Sequence, residues 1–163
     1  MASTRLLTQL VQASDLDYVE QFQALAIANL ELRRLGPSPE RLVRKAALEL
    51  DVGNFGASSL AAQDAVALAP GSSETHHQLG LSFLYLGLAK AGAVSVGPGI
   101  AERVPESVIG LLWRSLESWK EALRLAPADE ETRHDLGVLE SLLSSNRSEA
   151  ELVAALRDAL GKS

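Results

Sequence analysis

Apolar residues recur at intervals of three and four along most of the chain, which is the period of a helix. No run alternates apolar and polar β-branched residues as a half-buried strand would. Leu6, Leu7, Leu10 and Val11 predict a short first helix. Ser14 and Asp17 then have the spacing of a capping box, in which the serine hydroxyl takes an orphan amide and the carboxylate reaches back. The helix that follows runs to about Leu35, with Val19, Phe22, Leu25, Ala26 and Leu30 on the face expected to be apolar and buried. Gly36-Pro37-Ser38-Pro39 ends it and starts the next, because Ser38 suits an N-cap and Pro39 the first helical position. That helix reaches about Asp51, and Gly53-Asn54 makes a turn. Further helices are predicted over about 56–69, closed by Pro70-Gly71, and over about 73–90, 105–126, 129–143 and 149–160. Ser148 with Glu151 forms a second capping box before the last of them. The expected fold class is all-α.

A string of helices with short turns suits either a bundle or a stacked repeat, and an internal duplication decides between them. AVALAPGSSETHHQLG, residues 65–80, and ALRLAPADEETRHDLG, residues 122–137, share nine identities over 16 aligned positions and lie 57 residues apart. A repeated unit of this kind leaves an apolar face that only a stacked neighbour buries.

The spacing resembles the tetratricopeptide repeat (TPR), a 34-residue helix–turn–helix with W-x2-L-G-x2-Y in its first helix, A-x3-F in its second and a closing proline. His76, Leu79, Gly80 and Phe83 stand where the first-helix pattern puts its residues, with His76 replacing Trp. Leu42, Ala46 and Glu49 lie one unit earlier, and Arg133, Leu136 and Gly137 one unit later. Ser58, Ala62 and Ala65 before Pro70, and Ser115, Trp119 and Ala122 before Pro127, match the second helix. Gly53-Asn54-Phe55 resembles the turn between paired helices. The small residues Ala46, Ala65, Gly80 and Gly137 are expected to let helices approach, while Leu79, Phe83, Trp119 and Leu136 fill the space that remains.

The resemblance implies a right-handed solenoid of about three helix pairs behind N-terminal capping helices. In one single domain, residues 1–38 are those capping helices or a degenerate repeat, 39–72 the first repeat, 73–129 the second and 130–163 the third. The separation of 57 exceeds one family period by the 23 residues of Ala91–Trp113, an insertion between the two helices of the second repeat. This least family-like segment, with Val94, Val96, Ile100 and Trp113 as its apolar contacts, is expected either to pack on the solenoid or to associate with a second copy. Packing is the favoured role for Trp113, and Trp119 is assigned to the core.

By the same resemblance the first helices of the repeats line a concave groove, faced by Glu40, Val43, Ala47, Glu74, His77, Leu81, Leu84, Glu131, His134 and Val138. The spacing of three and four confirms only that each set shares one face of its helix. Some members of the family clamp a C-terminal carboxylate with Lys, Asn and Arg. The matching places here hold Val43, Ala47, Gln78, Glu131 and Asp135, so the basic clamp is absent. The implied partner is a neutral or basic peptide or protein segment with apolar anchors, docked on Val43, Leu81 and Leu84 and selected by Glu40, Glu74 and Glu131.

Composition narrows the function classes. Apolar residues make up 47% and aromatic ones 4%, a Leu-, Ala- and Val-rich mixture that suits close helix packing. The net charge of −6 and pI of about 5.1 lack the basic footprint of a nucleic-acid binder. There is no Cys, which removes disulfides, thiolate catalysis and cysteine metal sites. The opening MASTRLLTQLVQASD is too polar for a secretory signal, so the cytoplasm is the expected compartment. The apolar stretch of residues 79–100 carries Lys90 and is broken by Gly97-Pro98-Gly99, so no membrane span is expected. That Gly-Pro-Gly is not followed by a GK[ST] sequence or preceded by a strand, as a phosphate loop would need. His77 and His134 recur at one repeat position. A polar groove lining is preferred to a metal site, because no motif such as HExxH is present.

No cofactor is implied, and no serine stands in a nucleophile-elbow context. The leading expectation is a non-enzymatic scaffold or adaptor. The alternatives are self-association through residues 91–113 and a small secretion-type chaperone; an enzyme ranks last.

Overall fold

The computed structural model describes residues 18–94, 105–146 and 148–160. Among them are seven helices and no strand: α1 Tyr18–Leu35, α2 Pro39–Asp51, α3 Phe55–Leu68, α4 Ser73–Lys90, α5 Val108–Leu125, α6 Glu130–Ser145 and α7 Glu149–Ala159. The helix expected around Leu6–Val11, the Ser14–Asp17 box, and Val96 and Ile100 lie outside the described residues.

The caps explain most of the boundaries. Ser38 Oγ accepts from the Arg41 amide at 3.2 Å, with Pro39 in the first turn. Asp129 and Ser148 cap α6 and α7 in the same way, through the Thr132 and Glu151 amides. Gly53 takes φ 80°, a left-handed conformation that favours glycine, and turns the chain between α2 and α3. Asn54 Nδ2 secures that turn by donating to the buried carboxylate of Glu49 at 2.8 Å. α5 starts at Val108 rather than near Pro105 as the sequence suggested. Ser107 has an extended backbone, and its hydroxyl accepts from the Gly110 amide, so the helix begins after it.

Consecutive helices pack on one another from α1 to α6. In addition α2 touches α4, and α7 folds back onto α5. The main core gathers Leu84, Leu88, Leu112, Trp119, Leu139 and Leu152, all at most 3% exposed. Full burial of one such leucine stabilises the fold by about 1.5–3 kcal/mol.

Several polar contacts recur at corresponding places. Ser58 Oγ in α3 donates to the Ala46 carbonyl in α2 at 2.7 Å, and Ser115 Oγ in α5 donates to the Gly80 carbonyl in α4 at 2.7 Å. His76 Nε2 meets the Pro70 carbonyl, and Arg133 donates to the Pro127 carbonyl. The two histidine and arginine contacts are 57 residues apart at both ends, like the sequence windows that contain them.

The segment beyond Lys90 is only part of the departure from a short hairpin. α4 and α5 each have 18 residues, against 13 and 14 in α2 and α3. The extra turns are fully packed: Leu86 and Leu88 are 1% exposed and Leu111 is 0% exposed. At Gly87 the helices come close, since a Cβ there would sit 3.2 Å from Leu112 Cδ2. α7 seals this end, as Glu149 Oε1 accepts from the Val108 amide at 2.6 Å.

Two sequence expectations are corrected. In α1 the buried side carries Gln21, Leu25 and Ala28, whereas Val19, Phe22 and Leu30 are 65%, 42% and 44% exposed and Ala26 is exposed too. Apolar residues occur on both sides of α1, so the helical period alone did not select the packed one. Two polar contacts to α2 accompany this rotation: Lys45 Nζ donates to Asn29 Oδ1 at 2.6 Å, and Arg44 pairs with Glu31 at 3.4 Å. Gly137 is exposed, with nothing within 4 Å of where its Cβ would be, so it is not a point of close helix approach.

Candidate binding face

The residues expected to line a groove fall on α2, α4 and α6 in three rows. Glu40, Glu74 and Glu131 form the outermost row, each in the first turn of its helix and each exposed. Acidic groups there suit the positive end of the helix dipole. One turn on, Val43, His77 and His134 are half-buried, and one turn further Ala47, Leu81 and Val138 are also half-buried. Leu81 and Val138 pack at the edge of the main core while keeping part of their surface open.

Leu84 departs from the expectation. It is 3% exposed and belongs to the main core with Trp119 and Leu136, so it presents no apolar surface to a partner. The cluster that encloses it draws on α4, α5, α6 and α7. Gln78 and Asp135, which the sequence resemblance matched to a carboxylate clamp, are 7% and 5% exposed and are also withdrawn from the surface.

His77 anchors the junction between α4 and α6. Its Nδ1 lies 3.0 Å from Thr132 Oγ1, and that hydroxyl lies 2.6 Å from Asp129 Oδ2. An ionised carboxylate only accepts, so Thr132 spends its single proton on Asp129, and His77 Nδ1–H donates to the Thr132 oxygen. The ring stacks on Trp119 with centroids 6.2 Å apart and planes at 22°, and Trp119 Nε1 donates to the His77 carbonyl at 3.2 Å. The side-chain and backbone hydrogen bonds from Thr132 are the main reason that the Asp129 carboxyl is held below its ordinary value, with the His77 charge a lesser contribution.

Thr132 and Asp129 were not singled out in the sequence. A signal was present, since Thr75 and Thr132 are one of the nine identities between the duplicated windows, and both are buried. Thr75 uses its hydroxyl differently, on the Ala69 and Ser72 carbonyls.

Of the insertion residues, Val94 is half-buried against two core clusters, and Trp113 is 47% exposed on α5. The adjacent Arg114 turns inward, placing its guanidinium 4.2 Å from the Phe83 ring centre and pairing with Glu106. Trp119, as assigned, is fully buried. Phe55 stacks on Tyr85 at 5.6 Å, and burial, followed by the charge of Asp51, pushes the Tyr85 hydroxyl up to about 12.

Among the described residues no three His, Asp or Glu side chains converge as a metal site requires, and no helix is long and apolar enough to cross a membrane. Comparison with protein-family models, with curated proteins and with solved structures found no match.

Proposed function

We propose that this chain is a non-enzymatic interaction scaffold. In this reading it is a right-handed solenoid of about three TPR-like helix pairs, with α2, α4 and α6 lining a concave groove that takes a peptide or protein segment. The observation that carries the reading is the gradation of the three rows. An exposed acidic row, Glu40, Glu74 and Glu131, borders two half-buried rows, the first with Val43 and the second with Leu81 and Val138. Such a face suits a segment with basic side chains at the rim and apolar side chains on the floor. The carboxylates steer and orient the segment, and the apolar contacts slow its release. His77, held by Thr132 and Trp119, contributes a fixed polar group between two helices.

The test is fluorescence anisotropy with three labelled peptide sets, basic–apolar, acidic–apolar and basic without apolar residues. The proteins compared are wild type and the double variant His77→Glu, Leu81→Glu, whose helicity and melting are checked by circular dichroism. Basic–apolar peptides are expected to bind wild type, to weaken with added salt, and to be lost from a still-folded variant. Equal binding by both proteins, or a preference for acidic peptides, overturns the reading.

A further inference from the structure

The outward side of α1 carries an apolar stripe that no described helix covers. Val19, Phe22, Ala26 and Leu30 follow one another at steps of three and four residues, and all four are exposed. Ile27, 53% exposed, flanks the stripe. Among the described helices α1 packs chiefly on α2.

The stripe is self-complementary under a two-fold axis at Ala26. Phe22 and Leu30 lie four residues to either side of that centre, so in an antiparallel pair of α1 helices each Phe22 meets the Leu30 of the other copy. Ala26 is small, and at the centre it lets the helices approach. The ends match in charge. Glu20 is in the first turn and Arg33 and Arg34 are in the last, all three exposed, so antiparallel pairing sets the carboxylate of one copy near the guanidinium groups of the other. The helix dipoles also oppose favourably in this arrangement. A parallel pair would bring like charges together at both ends. This pattern is isologous, with one patch facing its own copy.

We propose that α1 is a homodimerisation surface, pairing antiparallel with α1 of a second copy about Ala26. The proposal is independent of the groove reading, since α1 carries none of the three rows. It is also distinct from association through residues 91–113.

Sedimentation velocity of the full chain over a range of concentrations tests it. Wild type is expected to show a reversible monomer–dimer equilibrium. Ala26→Glu places two unpaired carboxylates at the axis and raises the dissociation constant by about a hundredfold or more. Because Ala26 is exposed within the chain, the variant keeps its helicity and melting temperature, which circular dichroism checks.

Charge reversal provides the second, fold-independent arm. Glu20→Arg weakens the dimer, and the combination Glu20→Arg, Arg33→Glu, Arg34→Glu restores it. The fully reversed chain pairs with itself in preference to wild type. Three results overturn the proposal. The first is a wild-type chain that stays monomeric at every concentration, which would be the case if its own residues 1–17 occupied the stripe. The second is a dimer that survives Ala26→Glu. The third is a loss with Glu20→Arg that the combined reversal does not repair.

Discussion

The indole of Trp119 lies against Gly80 through its Cδ1 and Nε1 atoms, so close that a Cβ on residue 80 would overlap the ring. The corresponding positions one unit earlier are Ala46 and Ala62, both 0% exposed. The two helix pairs fill the same place in different ways, one with two alanines and the other with a glycine and a tryptophan. The serine bonds to Ala46 and Gly80 hold the paired helices in both, at 2.7 Å each.

This relationship predicts a sign change in a double-mutant cycle. Gly80→Ala alone overpacks the site and should cost about 1–3 kcal/mol. Trp119→Ala alone empties it and should cost about 3–5 kcal/mol. In the Trp119→Ala background the added methyl no longer meets the ring. Gly80→Ala should there become stabilising by about 0.5–1 kcal/mol, as expected for alanine over glycine within a helix. Urea unfolding of the four proteins reads the cycle, and additive costs would contradict the packing account.

Gly137 tests the opposite case. It is exposed within α6, and nothing lies near where its Cβ would be. Gly137→Ala should raise stability by about 0.5–1 kcal/mol through helix propensity alone. A fall in the melting temperature would show that a neighbour does approach this helix.

Glu149 joins the C-terminal helix to the lengthened hairpin. Its carboxylate accepts from the Val108 amide at 2.6 Å, across 41 residues of sequence. Glu149→Ala removes a charge-assisted bond and should cost about 1–3 kcal/mol. The Val108 amide should lose protection from hydrogen exchange before the centre of α5 does. An unchanged exchange rate at Val108 would mean that this contact does not hold the helix start.

Tyr85 predicts an alkaline transition. Its folded-state value is raised from 10.0 to about 12, first by burial and then by the Asp51 charge. The raised value means that the folded state holds the phenolic proton more tightly than the unfolded state. The associated stability is fully present below pH 10 and is lost as pH rises toward 12. Over that window the loss amounts to roughly 3 kcal/mol. Tyr85→Phe should flatten this limb of the stability profile, measured by urea unfolding at successive pH values, while tyrosinate absorbance follows the titration itself. An unaltered limb in the variant would assign the loss to other groups.

The sequence by itself determined where most helices lie, because that information is local. Ser38-Pro39, Gly53-Asn54 and Ser148 act within a few residues of themselves, and the helices they delimit begin or end where expected. It also determined the correspondence between residues 65–80 and 122–137, whose polar contacts recur in three dimensions.

Tertiary structure alone decided which side of a helix faces inward when more than one side is apolar. Burial depends on the neighbour, and on α1 the side that meets α2 carries Leu25 and Ala28, with Asn29 reached by Lys45 beside them. Only packing showed that Leu84 is enclosed while Leu81 stays partly open, although both lie on the face assigned to the groove. The extra turns of the lengthened hairpin read in the sequence as an insertion. The union of His77 with Thr132 and Asp129 was likewise beyond the sequence. His77 and Thr132 are 55 residues apart and meet at one hydroxyl, and no local pattern encodes where two helices bring such groups together.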